Sequence, residues 1–580
     1  MAEETIAYQF KGLIGGGGTN LDGVDGRVLK DGDFAYIMLS GNIQYNYMLD
    51  ASSGLAEKVP FVIEPDVNAD NKRWILQTPY VAYVDATAPD QGAATAEGYR
   101  SLKDLIDAIG LTKKATIVCP STGTGDTTIY TLTTNETVPA NITLKMEQGV
   151  ILDGAGTLTI NGSFEHGLYQ VFGASITVVF GSGSVKEVYP EWWGAVGDDA
   201  TDDHDAFVAA NASFLNGGFI CLLAKSYRSK AFTLSDYVSI KGLGKKSVLK
   251  RYETGDFITR GSYSVFRNFV IDGDTAALGN GKGVLIPSGK PQQRDINLEI
   301  TNFVEPCLEF AADGGSGFVS DASTYYTTGV VGTVAAVKVN GIDTAARPRK
   351  FVMPRSEGCT LFDFGGSDDF MVVGGFTNGL IFSADTSKAS LAEMRWGALG
   401  GTVTIAGSAH KIWNITSATD ITVTATDSYI AVQAADNVIT DNGTGNKIFN
   451  ANLIYTPTWT ADTVNPAIGN GTLTATSTRM GDRIEVNINV TMGGTTTYGT
   501  GKWFFSLPRA DNQFYKYTGT YLAYDDNTGD YYTGVAYVVP SLSKVMGLGN
   551  ASPAVLLHAT SPITWAENDI LIISINYLTT

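Results

Sequence analysis

Three acidic residues in one stretch have the type and spacing for acid–base chemistry: Glu299 in INLEI, Glu309 in CLEF and Asp313 just beyond. Breaking a glycosidic bond takes two carboxyl groups flanking it, one protonated and one ionised, roughly 5–9.5 Å apart. Strand alternation turns Ile296, Leu298 and Ile300 inward and Glu299 outward, and by the same rule Leu308 and Phe310 inward and Glu309 outward. Outward residues on neighbouring hydrogen-bonded strands sit about 4.8 Å apart. Stacked short strands therefore bring carboxylates into the required range. Asp272 stands at a nearby turn. Elimination would instead use a Lys or Arg base, often with Ca²⁺. Asp363, Asp368 and Asp369 in LFDFGGSDDF are oxygen ligands by type. They lack a liganding frame such as an EF-hand loop and read as an aspartate-rich turn. No metal site and no cofactor is expected.

Other chemistry is excluded. Four histidines exist, His166, His204, His410 and His558, and none lies near a serine or cysteine motif that would make a nucleophilic triad. HExxH, P-loop and zinc spacings are missing from the sequence. The glycine run in GLIGGGGTN neither follows a strand nor opens a helix, and reads as a flexible lead-in. For sugar binding, which uses aromatic platforms beside polar edges, the candidates are Tyr325, Tyr326 and Trp396, with a cluster of Tyr521, Tyr524, Tyr531 and Tyr532. In that cluster the centre of YLAYDDNTGDYYTG is a hairpin turn, which presents its tyrosines near a loop.

Short strands must position these residues. Residues 1–83 read as a small β domain, with Ile43, Tyr45 and Tyr47 alternating against polar neighbours. Residues 85–98 are a linker by composition. Within 84–188, SLKDLIDAIG is a short amphipathic helix with Leu102, Leu105, Ile106 and Ile109 on one face, and close-set strands follow it. Residues 189–214 repeat that plan. An aromatic plug at Pro190, Trp192 and Trp193 leads to a Gly/Asp turn and a helix, with Thr201 or Asp202 as its cap. Ala206, Phe207, Ala210 and Phe214 form the apolar stripe of a lid on a β stack.

Residues 189–452 show irregular recurrence. Phe266–Asn268–Phe269 and Ile300–Asn302–Phe303 share a pattern, and FTNGLIF resembles FVEPCLEF. Such recurrence marks a solenoid whose rungs bury apolar edges only by stacking. Asparagine suits the left-handed corner conformation, so Asn268 and Asn302 are candidate steps of an asparagine ladder. Residues 453–580 alternate clearly at Ile484, Val486, Ile488 and Val490, without a helix, and read as a β-sandwich.

Composition agrees. The chain has 580 residues, 66 of them glycine, with 17% charged residues, which suits several β-rich, turn-rich domains. A net charge of −19 argues against nucleic-acid and anionic-membrane partners. The four cysteines form no CxxC pair and are expected to be buried free thiols. No apolar run is long enough to span a bilayer, and no secretory signal opens the sequence. Release by cell lysis is the expected route outside.

Two stretches carry a resemblance. EWWGAVGDDATDDHDAFVAAN, followed in order by YVSIKGLG, FRNFVIDGD and GVLIPSG, resembles the pectate-lyase-like domain of phage tailspikes. Members begin with a GA-GDG-TDDT-A-Q-A motif and a capping helix. Gly194, Ala195, Gly197, Asp198, Thr201, Asp202, Asp203 and Ala206 stand at matching positions, while Asp199 replaces the second Gly and His204 the usual Thr. The match is close over 190–310 and general over 310–450. YTPTWTADTVNPAIGNGTLTATS with the closing PITWAENDILIISINY resembles a module at the tips of phage tail fibres and spikes. Residues 30–76 look like N-terminal segments of similar prophage tail proteins. The resemblance implies an all-β chain with a right-handed parallel β-helix between a small N-terminal β domain and a C-terminal β-sandwich. It implies a homotrimer docked through its N-terminal domain on a virion tail or baseplate protein, with a C-terminal trimerising or receptor-binding tip. The implied ligand is bacterial surface polysaccharide, bound and, in some members, cut, by hydrolysis in preference to elimination. A structural shaft that binds only through its tip is the alternative.

Overall fold

The computed structural model describes residues 6–578 except 40–42, 69, 78–79, 97, 124–126, 312–313, 329–333, 341–347, 357–358, 364–369, 378–379, 383–387, 394, 397–402, 418–419, 434–438, 510–515, 540–543 and 550–554. The chain divides into two compact units, Met1–Leu278 and Gly279–Thr580.

In the first unit, a five-stranded sheet comes first. Ala7–Phe10 runs parallel to Phe34–Met38, and Gln44–Asp50, Arg73–Leu76 and Val62–Ile63 continue antiparallel. Period-two alternation buries Tyr45, Tyr47 and Leu49 against Trp74. The glycine run is not a loose lead-in. Gly15 and Gly16 donate their N–H groups to the Asp22 carboxylate at 2.7 and 3.0 Å.

Helix α1, Leu102–Ile109, starts at a capping box in which Ser101 and Asp104 satisfy each other's backbone N–H groups. It buries Leu102, Leu105, Ile106 and Ile109. Short parallel strands follow on three faces. Ala115–Cys119, Ile142–Met146 and Phe164–Glu165 stack on one, Thr128–Thr131 and Val150–Asp153 on another, and Glu136–Val138, Thr157–Ile160 and Thr177–Phe180 on the third. The bends leave no room for side chains: a Cβ on Gly162 would lie 1.8 Å from the Ile142 carbonyl oxygen. The stretch 189–214 is enclosed between coils and is not a lid on an open end. Trp192 accepts backbone N–H groups from Val171 and Phe172, and its ring meets Phe164, His166 and Phe180. Helix α2, His204–Ala212, buries Phe207 against Tyr227 and Phe232 and hands Ser213 O to Phe180 N at 2.8 Å. Of the two expected caps, Asp202 is the one that acts. Asp202 takes the His204 N–H at 3.1 Å, whereas Thr201 lies in the strand Asp198–Asp202 and donates to Asp198. Asp203 turns back to the Val196 and Gly197 N–H groups. Burial pushes its carboxyl up further than those hydrogen bonds hold it down. Asp199, where the resembled motif has glycine, adopts the left-handed conformation with φ 62°. Parallel coils continue through Gly218–Cys221, Val238–Lys241 and Val265–Arg267 on one face and Ser226–Ser229, Val248–Arg251 and Val270–Asp272 on another.

The second unit is also built of parallel coils. Arg294–Ile296, Val319–Asp321, Arg349–Val352, Phe370–Val373 and Ser390–Ala392 stack on one face. Val284–Ile286, Leu308–Phe310, Ala335–Val339, Thr360–Asp363 and Leu380–Ile381 stack on another. Asn297, Ala322, Met353, Gly374 and Glu393 turn the corner of successive coils, each at positive φ. Each corner N–H donates to a carbonyl of the following coil, at 2.8–3.3 Å. The corner is thus a backbone ladder that accepts several residue types. Asn268 is a corner between Val265–Arg267 and Val270–Asp272, while Asn302 lies in the irregular part of Glu299–Phe303. The expected pairing of Asn268 with Asn302 therefore aligns unlike positions. The four cysteines are free and buried.

From Val403 the coils become regular. Val403, Ile421 and Ile439 stack in register, as do Ser408, Thr426 and Thr444. Lys447–Tyr455 then pairs in parallel with Tyr429–Gln433 and antiparallel with Thr472–Gly481. Beyond this joint the sheet is antiparallel, in the order Thr472–Gly481, Arg483–Thr491, Ile570–Leu578, Thr518–Tyr524, Tyr531–Val539, Lys544–Gly549, Trp503–Ser506, Trp459–Ala461. The two faces expected of a sandwich are one hydrogen-bonded sheet around a single core that includes Trp503, Phe505, Ile488 and Ile573.

Candidate functional site

Among the sequence candidates, Glu309 has the most developed surroundings. Strand register puts Val284, Leu308, Val337, Phe362 and Leu380 in one inward column. The next position along each strand forms an outward column of Leu285, Glu309, Lys338, Asp363 and Ile381. Glu309 faces outward yet is only 8% exposed. Lys282 Nζ and Asn340 Nδ2 both donate to its Oε1 at 3.1 Å and cover it. Lys338 follows one coil on and Asp363 two coils on. At about 4.8 Å per coil, the two carboxylates are about 9.6 Å apart along the stack. Opposite charges alternate down this column.

The structure does not bring the expected acidic set together. Glu299 belongs to another face, in register with Thr324, which bridges in turn to Arg355. Asp313 lies outside the described residues, as do Asp368 and Asp369. The alternation expected for INLEI also fails on one side. Ile296 is half-exposed while Asp295 is fully buried, because the corner at Asn297 reverses the alternation between the strands before and after it.

The aromatic candidates divide by strand direction. Thr324–Thr327 alternates, so Tyr325 points inward and Tyr326 outward and half-buried. Tyr325 is fully buried and donates its hydroxyl to Asp295 Oδ2 at 2.9 Å, with Ser320 Oγ at 2.8 Å. It satisfies a buried carboxyl and offers no surface to a sugar. Trp396 lies in the strand Arg395–Trp396, and its side chain is outside the described residues. Tyr521 is also inward, 2% exposed, and burial pushes its hydroxyl pKa up. Tyr532 packs against the core of the terminal module. Tyr524 and Tyr531 are direct cross-strand partners, their ring centroids 4.9 Å apart, and Tyr531 is 67% exposed. These two remain as a surface pair beside the Asp525–Asp530 turn. Beside them, Thr520, Leu522, Thr533, Val535 and Ile572 line a shallow depression of about 480 Å³ over Gly534.

Sequence reasoning missed Lys282, Asn340 and Lys338, because register between coils of unequal length is not written in any single strand. Asp363 was noted only as a turn residue or metal ligand. Among the described residues no cluster of His, Cys, Asp and Glu suits a metal ion, and no helix is long and apolar enough to cross a membrane.

Strand pairing defines the class of fold: parallel β-helical coils that run into an antiparallel β module. No protein-family model matches the chain. In sequence it is similar to the Mu-like prophage FluMu defective tail fiber protein of Haemophilus influenzae, 36% identical over 125 residues, which is 21% of this chain and 20% of that protein. The chain thus matches about a fifth of that relative's length. Solved structures with a loose likeness include ORF18 of Geobacillus virus E2, at 13% identity and a TM-score of 0.40 over 66% of this chain and 80% of that one. Another is the Dettilon tailspike protein gp208, at 12% identity and a TM-score of 0.32 over 68% of this chain and 96% of that one.

Proposed function

We propose that the chain is the subunit of a phage tailspike or tail fibre that attaches the virion to bacterial surface polysaccharide. The observation that carries this reading is the architecture, parallel coils fused through one strand, Lys447–Tyr455, to a terminal antiparallel module. The tail-fibre relative supports it. In this reading three copies assemble, the N-terminal sheet docks on the tail, and the protein reaches the outside with the virion at lysis. Labelled protein should adsorb to encapsulated strains in a panel of bacteria, and periodate oxidation of the surface glycans should abolish adsorption. Adsorption to none of the strains, or adsorption indifferent to periodate, refutes the reading.

Degradation of the polysaccharide is a second reading, favoured by one observation: Glu309 and Asp363 share an outward column two coils apart. Their separation of about 9.6 Å along the stack is just beyond the roughly 6.5–9.5 Å of inverting hydrolysis and far from the roughly 5–5.5 Å of retention. Lys282, 3.1 Å from Glu309, and Lys338, between the two carboxylates in the column, supply cations beside the pair. Glu309→Gln and Asp363→Asn should each lower release of reducing ends from host polysaccharide at least 100-fold with binding retained. Undiminished release from both variants removes this site from the chemistry, and the expected Glu299 and Asp313 would then be tested in the same way.

A further inference from the structure

One outward face of the second unit carries a charge pattern opposite to the chain as a whole. Register through the strands from Arg294–Ile296 to Lys447–Tyr455 stacks Arg294, Lys350, Lys411 and Lys447 in a single column. All four are exposed. Among the described residues, Lys350, Lys411 and Lys447 have no ion-pair partner, although the chain carries a net charge of −19. They stand two and three coils apart, with Met371, Ser390 and Tyr429 between them, and their charge is available to a ligand.

The same face becomes aromatic where the coils become regular. Tyr429 lies in the cation column between Lys411 and Lys447, 41% exposed. Trp413, 40% exposed, and Phe449 flank it from the neighbouring outward position. Tyr429 and Phe449 have ring centroids 4.7 Å apart. Trp413 and Tyr429 are exposed and Phe449 is half-buried, and exposed rings of this size are the usual apolar anchors of a binding surface. Here they are bracketed by two cations, two coils apart, about 9.6 Å along the stack. On this face register places one carboxylate, Asp321, in the neighbouring outward position beside Val352, and Asp427 stands at the coil corner two residues before Tyr429.

We propose that this face binds an acidic polysaccharide, with sugar rings on Trp413, Tyr429 and Phe449 and sugar carboxylates on Lys411 and Lys447. The proposal rests on the reading of the chain as a polysaccharide-binding tail protein and names the class of glycan. Charge complementarity selects the occupant. A neutral glycan would use the rings and leave the lysines without a partner. A lysine ammonium is a flexible point charge, suited to carboxylates whose position varies from one sugar to the next.

The test is affinity electrophoresis of the full chain in gels containing polygalacturonate, hyaluronate or polysialate, each beside its carboxyl-reduced counterpart. At least one acidic polymer should retard the protein, its reduced counterpart should not, and about 0.5 M NaCl should release it, since surface charge is screened at that strength. Lys411→Gln with Lys447→Gln, and separately Trp413→Ala, should weaken retention at least tenfold, while Lys246→Gln should leave it unchanged. Circular dichroism melts check that the variants are folded. Retention by none of the acidic polymers, equal retention by reduced polymer, or an unchanged double variant overturns the proposal. A change in sedimenting mass of the double variant would assign the face to contact between copies and also overturn it. If periodate-sensitive adsorption to cells persists in any of these cases, the attachment reading stands and only the acidic-glycan assignment falls.

Discussion

Replacing Asp441 by Asn should loosen the joint between the last regular coil and the antiparallel module. Asp441 ends the strand Ile439–Asp441, and its Oδ2 accepts Arg479 Nη1 at 2.8 Å and also meets Arg509 Nη1. The Asp441 and Arg479 side chains are only 4% and 7% exposed. Removing one partner of a buried pair typically costs about 3–5 kcal/mol, because the other charge stays buried without compensation. Arg479 keeps its hydrogen bonds to the carbonyls of Asn446 and Gly481, which places the loss near the lower figure, about 3 kcal/mol. For a cooperative unit of 150–250 residues that is a fall of roughly 6–12 °C in the module's transition. Differential scanning calorimetry reads it directly. The pH dependence follows from the same contacts. Burial raises the Asp441 carboxyl, but the hydrogen bonds from Arg479, Arg509 and Asn446 outweigh it and hold the group below the ordinary range. A carboxyl lowered on folding contributes stability that is present above its unfolded value, about 3.9, and lost as pH falls through the folded value. The transition should therefore be insensitive to this group from pH 5 to 8 and drop below about pH 4, and Asp441→Asn should lose that acid step. A double change, Asp441→Leu with Arg479→Met, should recover most of the stability, since apolar groups of similar size replace buried pairs well. A transition moved by less than about 1 °C in Asp441→Asn, against the expected shift, would refute the claim that this pair fastens the joint.

Two further outcomes are expected. Trp192→Ala should destabilise the first unit by about 3–5 kcal/mol, as for other large buried side chains, read by thermal melting. Trp192→Phe should cost far less, because the indole Nε1 is buried without a hydrogen-bond partner. Equal losses in the two variants would mean that the ring's volume is not what the plug supplies. His410 is buried, accepts the Ala389 N–H on Nδ1 and contacts the Ala406 carbonyl through Nε2, so the neutral ring carries its proton on Nε2. Burial lowers its pKa, against the raising effect of the Ala406 contact. The unfolded chain therefore takes up a proton first, and the terminal coils should lose stability as pH falls below about 6.5. His410→Asn should show a smaller slope in that window, and an unchanged slope in the melting temperature would rule His410 out as its source.

Local patterns were legible where one strand or helix carries its own signal. The helix at Leu102–Ile109 is capped and amphipathic within ten residues, and Ile484, Val486, Ile488 and Val490 alternate because one face of a long strand is core. The candidate site was less legible, because its geometry depends on register between coils. Glu309 reads as an outward residue from its neighbours alone, but its partners Lys338 and Asp363 are set by coil lengths that differ from turn to turn. Adjacent tyrosines cannot both face outward on a straight strand, so the pair Tyr325–Tyr326 could supply one platform at most. Asp295 went unseen for a different reason. It reads as a surface residue until a buried tyrosine hydroxyl is found to satisfy it.

The regular coils at 403–449 carry a side-chain ladder that repetition of asparagine does not reveal. His410, Ser428 and Asn446 occupy equivalent buried corners of successive coils. The His410 N–H donates to Ser428 Oγ, and the Ser428 N–H donates to Asn446 Oδ1, each at 3.0 Å. The Ala389 N–H donates to His410 in the same way, at 3.2 Å. Each buried backbone donor is thus satisfied by a polar side chain one coil further on, and the chemical type of that side chain is free as long as it accepts. A search for repeated asparagines misses such a ladder. A search for equal spacing finds it, because Ile412, Ile430 and Ile448 keep step beneath it, all buried to within 2%. Equal spacing also explains why the exposed rings gather here. Coils of one length bring Trp413, Tyr429 and Phe449 onto a common face.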